Sequence, residues 1–148
     1  MKVIARNKKA FFNYEIVETF EAGISLMGSE VKSIRDGRVS LKESYAEVRD
    51  GEVFLVSCHI SPFPPANRMN HEPLRERKLL LNAVEIKRLQ SKVMEKGLTL
   101  VPLSLYLKGR LVKLELGVGR GKKLVDKRDD IKKRDQEREI HRAIKGND

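Results

Sequence analysis

The chain contains 148 residues, and its 31 lysines and arginines outnumber its 21 acidic residues, for a formal net charge of +10. This length fits one domain with a sizeable core. The excess of basic charge indicates a polyanionic partner, most often nucleic acid, unless the charge serves only solubility. A single cysteine, Cys58, excludes an intrachain disulfide and a cysteine-based metal site. The sequence shows neither a signal peptide nor roughly 20 consecutive apolar residues, so we expect a cytoplasmic protein that does not bind membranes.

The charged residues divide the chain into two parts. Residues 1–118 combine 20 basic and 14 acidic residues with regular apolar patterns, whereas residues 119–148 contain 11 basic and 7 acidic residues and few apolar ones. We therefore predict a folded domain over 1–118 and a basic C-terminal tail over 119–148 that is disordered in isolation. Acidic and basic residues alternate at helical spacing in the tail, which predicts a helix that forms on a partner. A dispensable solubility tail is the alternative.

The first part of the chain predicts an N-terminal arm, two short strands and a helix. Lys2 to Lys9 are typical of a basic arm ahead of the first strand. The stretch from Glu18 to Gly37 predicts a strand, a tight turn at Ala22-Gly23, a second strand and a short basic helix that Ser29 caps. The outer face of this helix can bind RNA, although a solvated face with local ion pairs has the same pattern. The side chains expected on this face are Glu30, Lys32 and Arg35.

Two hairpins indicate the fold class. Ser44 to Cys58 predicts the first hairpin, because apolar runs flank Asp50-Gly51, a pair that suits a type I′ turn. Leu98 to Val118 predicts the second, with Pro102 at an edge position or a bulge because proline has no N–H. We predict a mainly β fold with flanking α-helices, built as a small closed antiparallel barrel of about six strands. It would resemble the oligonucleotide-binding (OB) barrel, which commonly presents nucleic-acid surfaces.

A loop and a helix lie between the two hairpins. Residues 61–78 contain four prolines, so we predict a long, irregular and functional loop. Asn82 to Lys96 predicts a helix with a capping box formed by Asn82 and Glu85 and with Leu89 on its inward stripe. The loop side chains that could donate to phosphates and bases are Asn67, Arg68, Asn70, His71, Arg75, Arg77 and Lys78.

Five runs of sequence, in order and at consistent spacing, relate the chain to a known family. They are NKKAFFNYEIVETFEAGISLMGSEVKSIRDGRVSLKESYAEVRDGEV at 7–53, HISPF at 59–63, NHEPLRERKLLL at 70–81, EKGLTLVPLSLYLKGRLVKLELGVGRGKKLVDKR at 95–128 and DIKKRDQEREI at 130–140. In these runs, which cover most of its length, the chain resembles the SsrA-binding protein (small protein B, SmpB) family of bacteria.

The resemblance implies a function in ribosome rescue. Members of this family bind the tRNA-like domain of transfer-messenger RNA (tmRNA) with an OB-type barrel. With elongation factor Tu, they accompany the RNA to ribosomes stalled without a stop codon, where the nascent chain receives a degradation tag in trans-translation. Their tail enters the empty mRNA channel, becomes helical and stands in for codon–anticodon pairing in the decoding centre. The resemblance implies an RNA-binding protein that is not an enzyme and uses no cofactor or metal.

Charge patterns and the resemblance together give two sets of candidate residues. The candidates for RNA binding are Lys8, Lys9, Glu30, Lys32, Arg35, Asn70, His71, Arg75, Arg77, Lys78, Leu89, Arg120, Gly121, Lys122 and Lys123. The candidates for the ribosome-binding tail are Asp126, Lys127, Arg128, Lys132, Lys133 and Arg134. Val125 and Gln136 stand where relatives often carry aromatic or histidine side chains, so they cannot stack on a ribosomal base.

Two other functions fit parts of the sequence. A general RNA-binding or ribosome-associated barrel would share the charge and the fold, but the family-matched tail argues against it. A magnesium-dependent nuclease could use Glu30, or Asp126, Asp129 and Asp130 of the tail. Two-metal sites need carboxylates that converge on a rigid scaffold, whereas lysines and arginines neutralise these acids and the last three lie on the tail.

Overall fold

The computed structural model describes residues 1–65 and 70–122. Predictions on residues 66–69, including Asn67 and Arg68, and on residues 123–148, including Lys123 and the tail helix, lie outside the described residues. Within the described ranges, no helix is long and apolar enough to cross a membrane. The elements in chain order are β1 (Lys2–Arg6), α1 (Lys8–Asn13), β2 (Tyr14–Ile24), α2 (Gly28–Arg35), β3 (Val39–Ser40), β4 (Tyr45–Arg49), β5 (Glu52–Val56), β6 (His59–Ile60), β7 (Arg77–Leu80), α3 (Ala83–Val93), β8 (Leu98–Lys108) and β9 (Leu111–Gly121).

Six strands form a closed antiparallel ring. The pairing runs in the order β8-β4-β5-β7-β2-β9, and β9 pairs again with β8. β1 lies outside the ring on β8, and β3 pairs separately with β6. β9 forms long ladders with both neighbours, whereas β4 meets β8 only at Ala46 and Leu100. The predicted mainly β fold with a ring of about six antiparallel strands is confirmed.

The main core fills the inside of this ring. Leu114, Leu116 and Val118 of β9 alternate with outward-pointing residues and are fully buried. This period of two places one apolar face of an antiparallel strand in the interior. Ile34 of α2 and Leu89 of α3 join the same cluster, and both are also fully buried. Apolar packing therefore holds these two helices against the ring.

A smaller core lies on the outer face of β9, where glycines leave room for larger side chains. A Cβ atom on Gly119 would lie 2.9 Å from Cβ of Tyr14, and one on Gly117 would lie 2.8 Å from Cδ1 of Leu103. Tyr14 and Leu103 can pack against the strand only because glycine has no side chain. Together with Ala10 they attach α1 to the outside of the ring.

Pro102 lies inside β8, where a proline would interrupt a regular ladder. The register between β8 and β9 shifts between Pro102 and Ser104, so the predicted bulge at this proline is confirmed. Leu103 lies at the shift, and its side chain packs in the outer core. The irregularity in β8 therefore supplies a side chain that holds α1.

The N-terminal residues do not form the free arm predicted for Lys2 to Lys9. They form β1, which pairs with β8, and the start of α1. Asn7 joins the two elements: its Oδ1 accepts from the N–H of Ala10 at 3.1 Å, and its Nδ2 donates to the carbonyls of Leu41 at 3.2 Å and Pro102 at 2.9 Å. These buried hydrogen bonds fix the segment to the ring.

The turn predicted at Ala22-Gly23 is also wrong, because β2 continues to Ile24. Ala22 pairs with Leu114 and is fully buried, and Gly23 pairs with both β9 and Leu80 of β7. A Cβ atom on Gly23 would lie 3.2 Å from Cβ of Leu80. Glycine here permits close approach between neighbouring strands. The chain therefore reaches α2 without a second strand.

Both predicted hairpins are confirmed, as β4–β5 and β8–β9. Asp50 has φ +51° and Gly51 has φ +76°, and a type I′ turn requires positive φ at both central residues. Gly109 has φ +61° at the turn of the second hairpin. Local turn residues therefore determine where both hairpins reverse.

Three predicted boundaries shift in the structure. The capping box of α3 is present, with the Glu85 N–H donating to Asn82 Oδ1 at 2.8 Å, but the helix ends at Val93 instead of Lys96. The last two residues of the predicted loop over 61–78 belong to β7. The predicted division between residues 118 and 119 falls inside β9, which continues to Gly121; the division into domain and tail stays a prediction.

We expect Gly119→Ala to destabilise the protein, because the new methyl group would collide with Cβ of Tyr14, which no side-chain rotation can move away. The expected loss in the free energy of unfolding is about 1–3 kcal/mol, measured by chemical denaturation. Gly121→Ala is the matched control in the same strand, since a Cβ atom there meets nothing within 4 Å. Equal losses from both variants would contradict the packing role of Gly119.

Candidate nucleic-acid interface

Helix α2 begins with polar side chains that turn into the protein. Its N-cap is Met27, so the predicted cap at Ser29 is wrong. Glu30 accepts a hydrogen bond from the Met27 N–H at 2.7 Å, which satisfies a backbone donor at the start of the helix. Ser29 is buried, and its hydroxyl lies 2.8 Å from Nδ1 of His71.

Glu30 is completely buried, so its predicted position on the outer face of α2 is wrong. Its Oε2 accepts from Nε of Arg77 at 2.5 Å, and its Oε1 accepts from Nη2 of Arg75 at 2.5 Å. Burial alone would raise the pKa of Glu30, but hydrogen bonds from Arg75, the Met27 N–H and Arg77 outweigh burial and hold the pKa below its ordinary value. RNA cannot reach this carboxylate directly.

Arg77 is the buried counter-ion, and this placement contradicts its prediction as an RNA contact. Its guanidinium also donates to the carbonyls of Cys58 at 2.6 Å and Pro73 at 3.1 Å. Such complete pairing is necessary because an unpaired buried charge strongly destabilises a fold. Arg75 lies at the rim of the network, with its side chain 36% exposed. We call Ser29, Glu30, His71, Arg75 and Arg77 the buried polar network.

His71 is 5% exposed, so its prediction as a donor to RNA is also corrected. Its Nε2 lies 2.8 Å from the carbonyl of Ile60, which can only accept, so this nitrogen carries the proton. In the neutral ring, Nδ1 then accepts from the Ser29 hydroxyl. Both ring nitrogens are therefore engaged inside the protein, where they tie α2 to β6.

Asn70 closes the proline-rich loop on itself. Its Nδ2 donates to the carbonyl of Phe63 at 2.8 Å, and its Oδ1 accepts from the Phe63 N–H at 2.7 Å. Its amide group is therefore engaged by the loop backbone instead of being open to a base. Nζ of Lys32 lies 5.7 Å from the centroid of the Phe63 ring. Sequence patterns did not identify Phe63, because the contact joins the loop to a helix distant in the chain.

Three further residues that were predicted to contact RNA interact with other residues of the protein. Lys9 pairs with Glu43 at 3.1 Å, and Lys78 pairs with Glu52 at 3.2 Å. Exposed pairs of this kind contribute only about 0–1 kcal/mol, so a polyanion could compete for these cations. Leu89 is fully buried in the core, where it presents no surface to a ligand.

Four further predicted cations on the described surface make no ion pair among the described residues. They are Lys8, Lys32, Arg35 and Arg120. Lys32 and Arg35 lie on the outside of α2, and the exposed Arg38, which the sequence analysis did not single out, follows the helix. The basic residues on either side of Asp36, in the run KSIRDGR at 32–38, were the available signal for Arg38. We call Lys32, Arg35 and Arg38 the α2 basic face.

The last described residues carry part of the predicted run from Arg120 to Lys123. Arg120 and Gly121 are exposed at the end of β9. The backbone N–H of Lys122 donates to the carbonyl of Asn13 at 2.9 Å. Lys123 lies outside the described residues. The structure therefore places the first three residues of the run beside the end of α1.

The described residues do not assemble a catalytic metal centre. Within residues 1–65 and 70–122, no group of three or more His, Cys, Asp or Glu residues could hold a metal ion. Glu30, which the nuclease alternative would use, is engaged by two arginines that would have to leave before it could bind magnesium. Burial raises the pKa of the Cys58 thiol to about 11, so it stays protonated at neutral pH.

We expect Glu30→Gln to destabilise the protein by about 3–5 kcal/mol at neutral pH, because Arg77 would lose its buried counter-ion. Since the pKa of Glu30 is lower in the folded state, its stabilising contribution is present above the unfolded value of about 4.3 and is lost as the pH falls towards the folded value. The unaltered protein should therefore lose this part of its stability below about pH 4.3. The variant has no carboxylate at this position, so its stability should not show this loss. Denaturant titrations at several pH values measure both effects.

Glu43→Gln provides the matched control, because it removes the partner of the exposed Lys9. We expect a change of less than about 1 kcal/mol and no comparable dependence on acid pH. If Glu30→Gln were as mild as Glu43→Gln, the buried ion pair would not be a principal support of the fold.

Comparisons with known proteins relate this chain to one family. A model of the SmpB protein family matches residues 4–146. The SsrA-binding protein of Symbiobacterium thermophilum is 59% identical over 145 residues, which cover 97% of this chain and 91% of the relative. The SsrA-binding protein of Carboxydothermus hydrogenoformans is 56% identical over 144 residues, which cover 97% of both chains.

A solved structure agrees with these relatives. It is described as "tmRNA-SmpB: a journey to the center of the bacterial ribosome", and one of its chains matches with a TM-score of 0.70 and 47% identity. The match covers 84% of this chain and 87% of the solved one. The resemblance found in the sequence runs is confirmed, and the chain belongs to the SmpB protein family.

Proposed function

We propose that this protein binds the tRNA-like domain of tmRNA and delivers it to stalled ribosomes for trans-translation, without catalysing a reaction itself. The family match over residues 4–146 is the observation that carries the proposal. The relatives are SsrA-binding proteins, and the solved neighbour is a tmRNA–SmpB structure of the bacterial ribosome. The α2 basic face supplies a physical means of RNA binding.

The α2 basic face suits the phosphate backbone of a folded RNA. Lys32 and Arg35 are three residues apart and therefore share one side of the helix. Cations without acidic partners displace condensed counter-ions from RNA, which contributes affinity that weakens as salt rises. The ring of Phe63 beside Lys32 adds an aromatic surface of the kind on which an unpaired base can stack.

The residues that were predicted to bind RNA but are buried in the structure position the α2 basic face instead. Glu30, Arg77 and His71 hold α2 against β7 and the proline-rich loop, and Leu89 holds α3 in the core. Replacing any of them would shift or loosen the helix instead of deleting an RNA contact. We therefore expect such replacements to lower stability and RNA affinity together.

The second half of the proposed function relies on the tail. Residues 119–148 contain 11 basic and 7 acidic residues, so they carry a net charge of +4 that phosphates of the empty mRNA channel would attract. We propose that the tail becomes helical near the decoding centre, and that elongation factor Tu takes part through the RNA complex. These partners imply a cytoplasmic protein. The tail residues proposed to act there are Asp126, Lys127, Arg128, Lys132, Lys133 and Arg134, whereas Lys123 is proposed to bind the RNA with the run that starts at Arg120.

We expect Lys32→Gln and Arg35→Gln each to weaken binding to the tRNA-like domain. Each should also reduce the slope of log affinity against log salt by about one, because one fewer phosphate is neutralised. Lys87→Gln is the matched control, since it removes an equal charge from the exposed surface of α3, away from the α2 basic face. Fluorescence titrations at several salt concentrations measure the affinities. Equal weakening by all three variants would show that net charge, not the α2 basic face, determines binding.

We expect a protein that ends at Lys123 to bind the tRNA-like domain as the full chain does but to support no tagging on stalled ribosomes. The reason is that the truncation keeps all of β9 and removes only the proposed ribosome-binding segment. Titration with bulk tRNA as competitor and a tagging assay measure the two activities. If the full chain bound bulk tRNA equally well and supported no tagging, the protein would be a general RNA-binding barrel.

A further inference from the structure

A pocket with a volume of about 300 Å³ lies between α1 and the junction of β4 with β8. These two strands pair only at Ala46 and Leu100, which are both buried. Successive side chains of a strand point to opposite faces, so Tyr45 and Thr99 beside this pair point outwards, and both line the pocket. The pocket is therefore a feature of the outer surface and not of the core. We call it the α1–β4 pocket.

Three polar side chains of the α1–β4 pocket have no hydrogen-bond partner within residues 1–65 and 70–122. They are the amide of Asn13 and the hydroxyls of Tyr45 and Thr99. Ser44, which also lines the pocket, differs from them because its hydroxyl donates to the carbonyl of Leu41 at 2.6 Å. The three unengaged groups are available to a ligand, and they include both donors and acceptors.

The α1–β4 pocket carries little net charge. Lys9 and Glu43 of its lining pair with each other at 3.1 Å. Lys42 is therefore the one charged side chain of the lining without a counter-ion in the described ranges. A single cation suits a single phosphate, whereas attraction of a polyanion by charge alone needs several cations. The aromatic and polar groups of the pocket must therefore select its ligand.

We propose that the α1–β4 pocket binds one unpaired nucleotide of the bound RNA. The base would stack on the ring of Tyr45, which is 40% exposed. The Asn13 amide would donate to and accept from the edge of this base, and the ammonium group of Lys42 would pair with its phosphate. This inference rests on the function proposed above. It adds a site that recognises a base to the α2 basic face, which recognises phosphates.

The surroundings of the pocket provide a path for the rest of the RNA chain. On one side, the Lys122 N–H donates to the carbonyl of Asn13, so the exposed Arg120 at the end of β9 lies close enough to contact a neighbouring phosphate. On the other side, a groove of about 380 Å³ shares Tyr45 and Thr99 with the pocket and continues along β4 and β8. The nucleotides before and after the bound one therefore have room.

The lining favours a nucleotide over a peptide segment of a partner protein. Ala10 and Val101 are the aliphatic residues of the pocket, and Val101 is only 5% exposed. Apolar side chains of a peptide would therefore bury little surface there. An acidic peptide would meet one unpaired cation beside the carboxylate of Glu43. An exposed aromatic ring next to unengaged hydrogen-bonding groups instead matches the face and the edge of a base.

The first experiment titrates each of the four ribonucleoside 5′-monophosphates into the full-length protein. NMR follows the side-chain amide of Asn13 and the backbone amide of Thr99. We expect at least one mononucleotide to shift both signals in a saturable way, with a dissociation constant of the order of 1 mM. Ribose 5-phosphate, which lacks the base, should leave both signals unchanged. The proposal would be overturned if no mononucleotide shifted them at about 10 mM, or if ribose 5-phosphate shifted them equally.

Two variants test the pocket in the complex with the tRNA-like domain. Tyr45→Leu should weaken binding at least about fivefold and Asn13→Ala at least about threefold. Neither variant removes a cation, so the slope of log affinity against log salt should stay the same. Phe11→Leu is the matched control. Its ring is 39% exposed but does not line the pocket, so its affinity should match that of the unaltered protein.

The outcomes separate this inference from the proposed function. If the unaltered protein bound the tRNA-like domain and Tyr45→Leu bound it as well as Phe11→Leu did, the inference would be wrong and the proposed function would stand. If Tyr45→Leu kept its RNA affinity but lost tagging, the pocket would contact the ribosome, which would also overturn the inference. If the unaltered protein did not bind the domain, the proposed function would be wrong, and the mononucleotide titration would still decide whether the pocket binds a nucleotide.

Discussion

The buried ion pair between Glu30 and Arg77 is the interaction on which the positions of the surrounding elements depend. It joins the first turn of α2 to the start of β7, and Arg77 extends the connection to the carbonyls of Cys58 and Pro73. Removing two charges from water is unfavourable unless their geometry and remaining hydrogen bonds are nearly complete. Here the carboxylate accepts from two arginines and one backbone N–H, so the fold constrains α2 more tightly than apolar contacts alone would.

β9 organises the ring in a different way, because it uses both of its faces. Its leucine and valine side chains fill the interior, and Gly117 and Gly119 leave room outside for Leu103 and Tyr14. The same strand therefore closes the ring and anchors α1. The position of α1 relative to the end of β9 is therefore fixed. The hydrogen bond from the Lys122 N–H to the carbonyl of Asn13 adds to this attachment.

The pattern of ion pairs explains the surface better than the net charge of +10 does. The sequence alone does not distinguish these lysines and arginines, but the structure places them in three environments. Some are buried with an acidic counter-ion, some are exposed with a counter-ion, and some are exposed without a counter-ion. Arg77, Lys78 and Lys32 are respective examples. Only the last environment adds an uncompensated positive field to the surface. This distinction separates the α2 basic face from cations such as Arg77 and Lys78.

The sequence by itself determined the features that depend on neighbouring residues. Asp50-Gly51 and the capping box at Asn82 act through local dihedral angles and hydrogen bonds, and the alternation along β9 acts through the period of a strand. The sequence runs that resemble SmpB proteins also identified the family. Periodicity could not show that Glu30 is buried, because its two counter-ions lie 45 and 47 residues away in the chain. It could not show that Gly23 continues a strand, since the reason is the approach of Leu80 from another strand. Only the tertiary structure decided which charges lie inside, because burial of a charge requires partners that the fold brings together from distant parts of the chain.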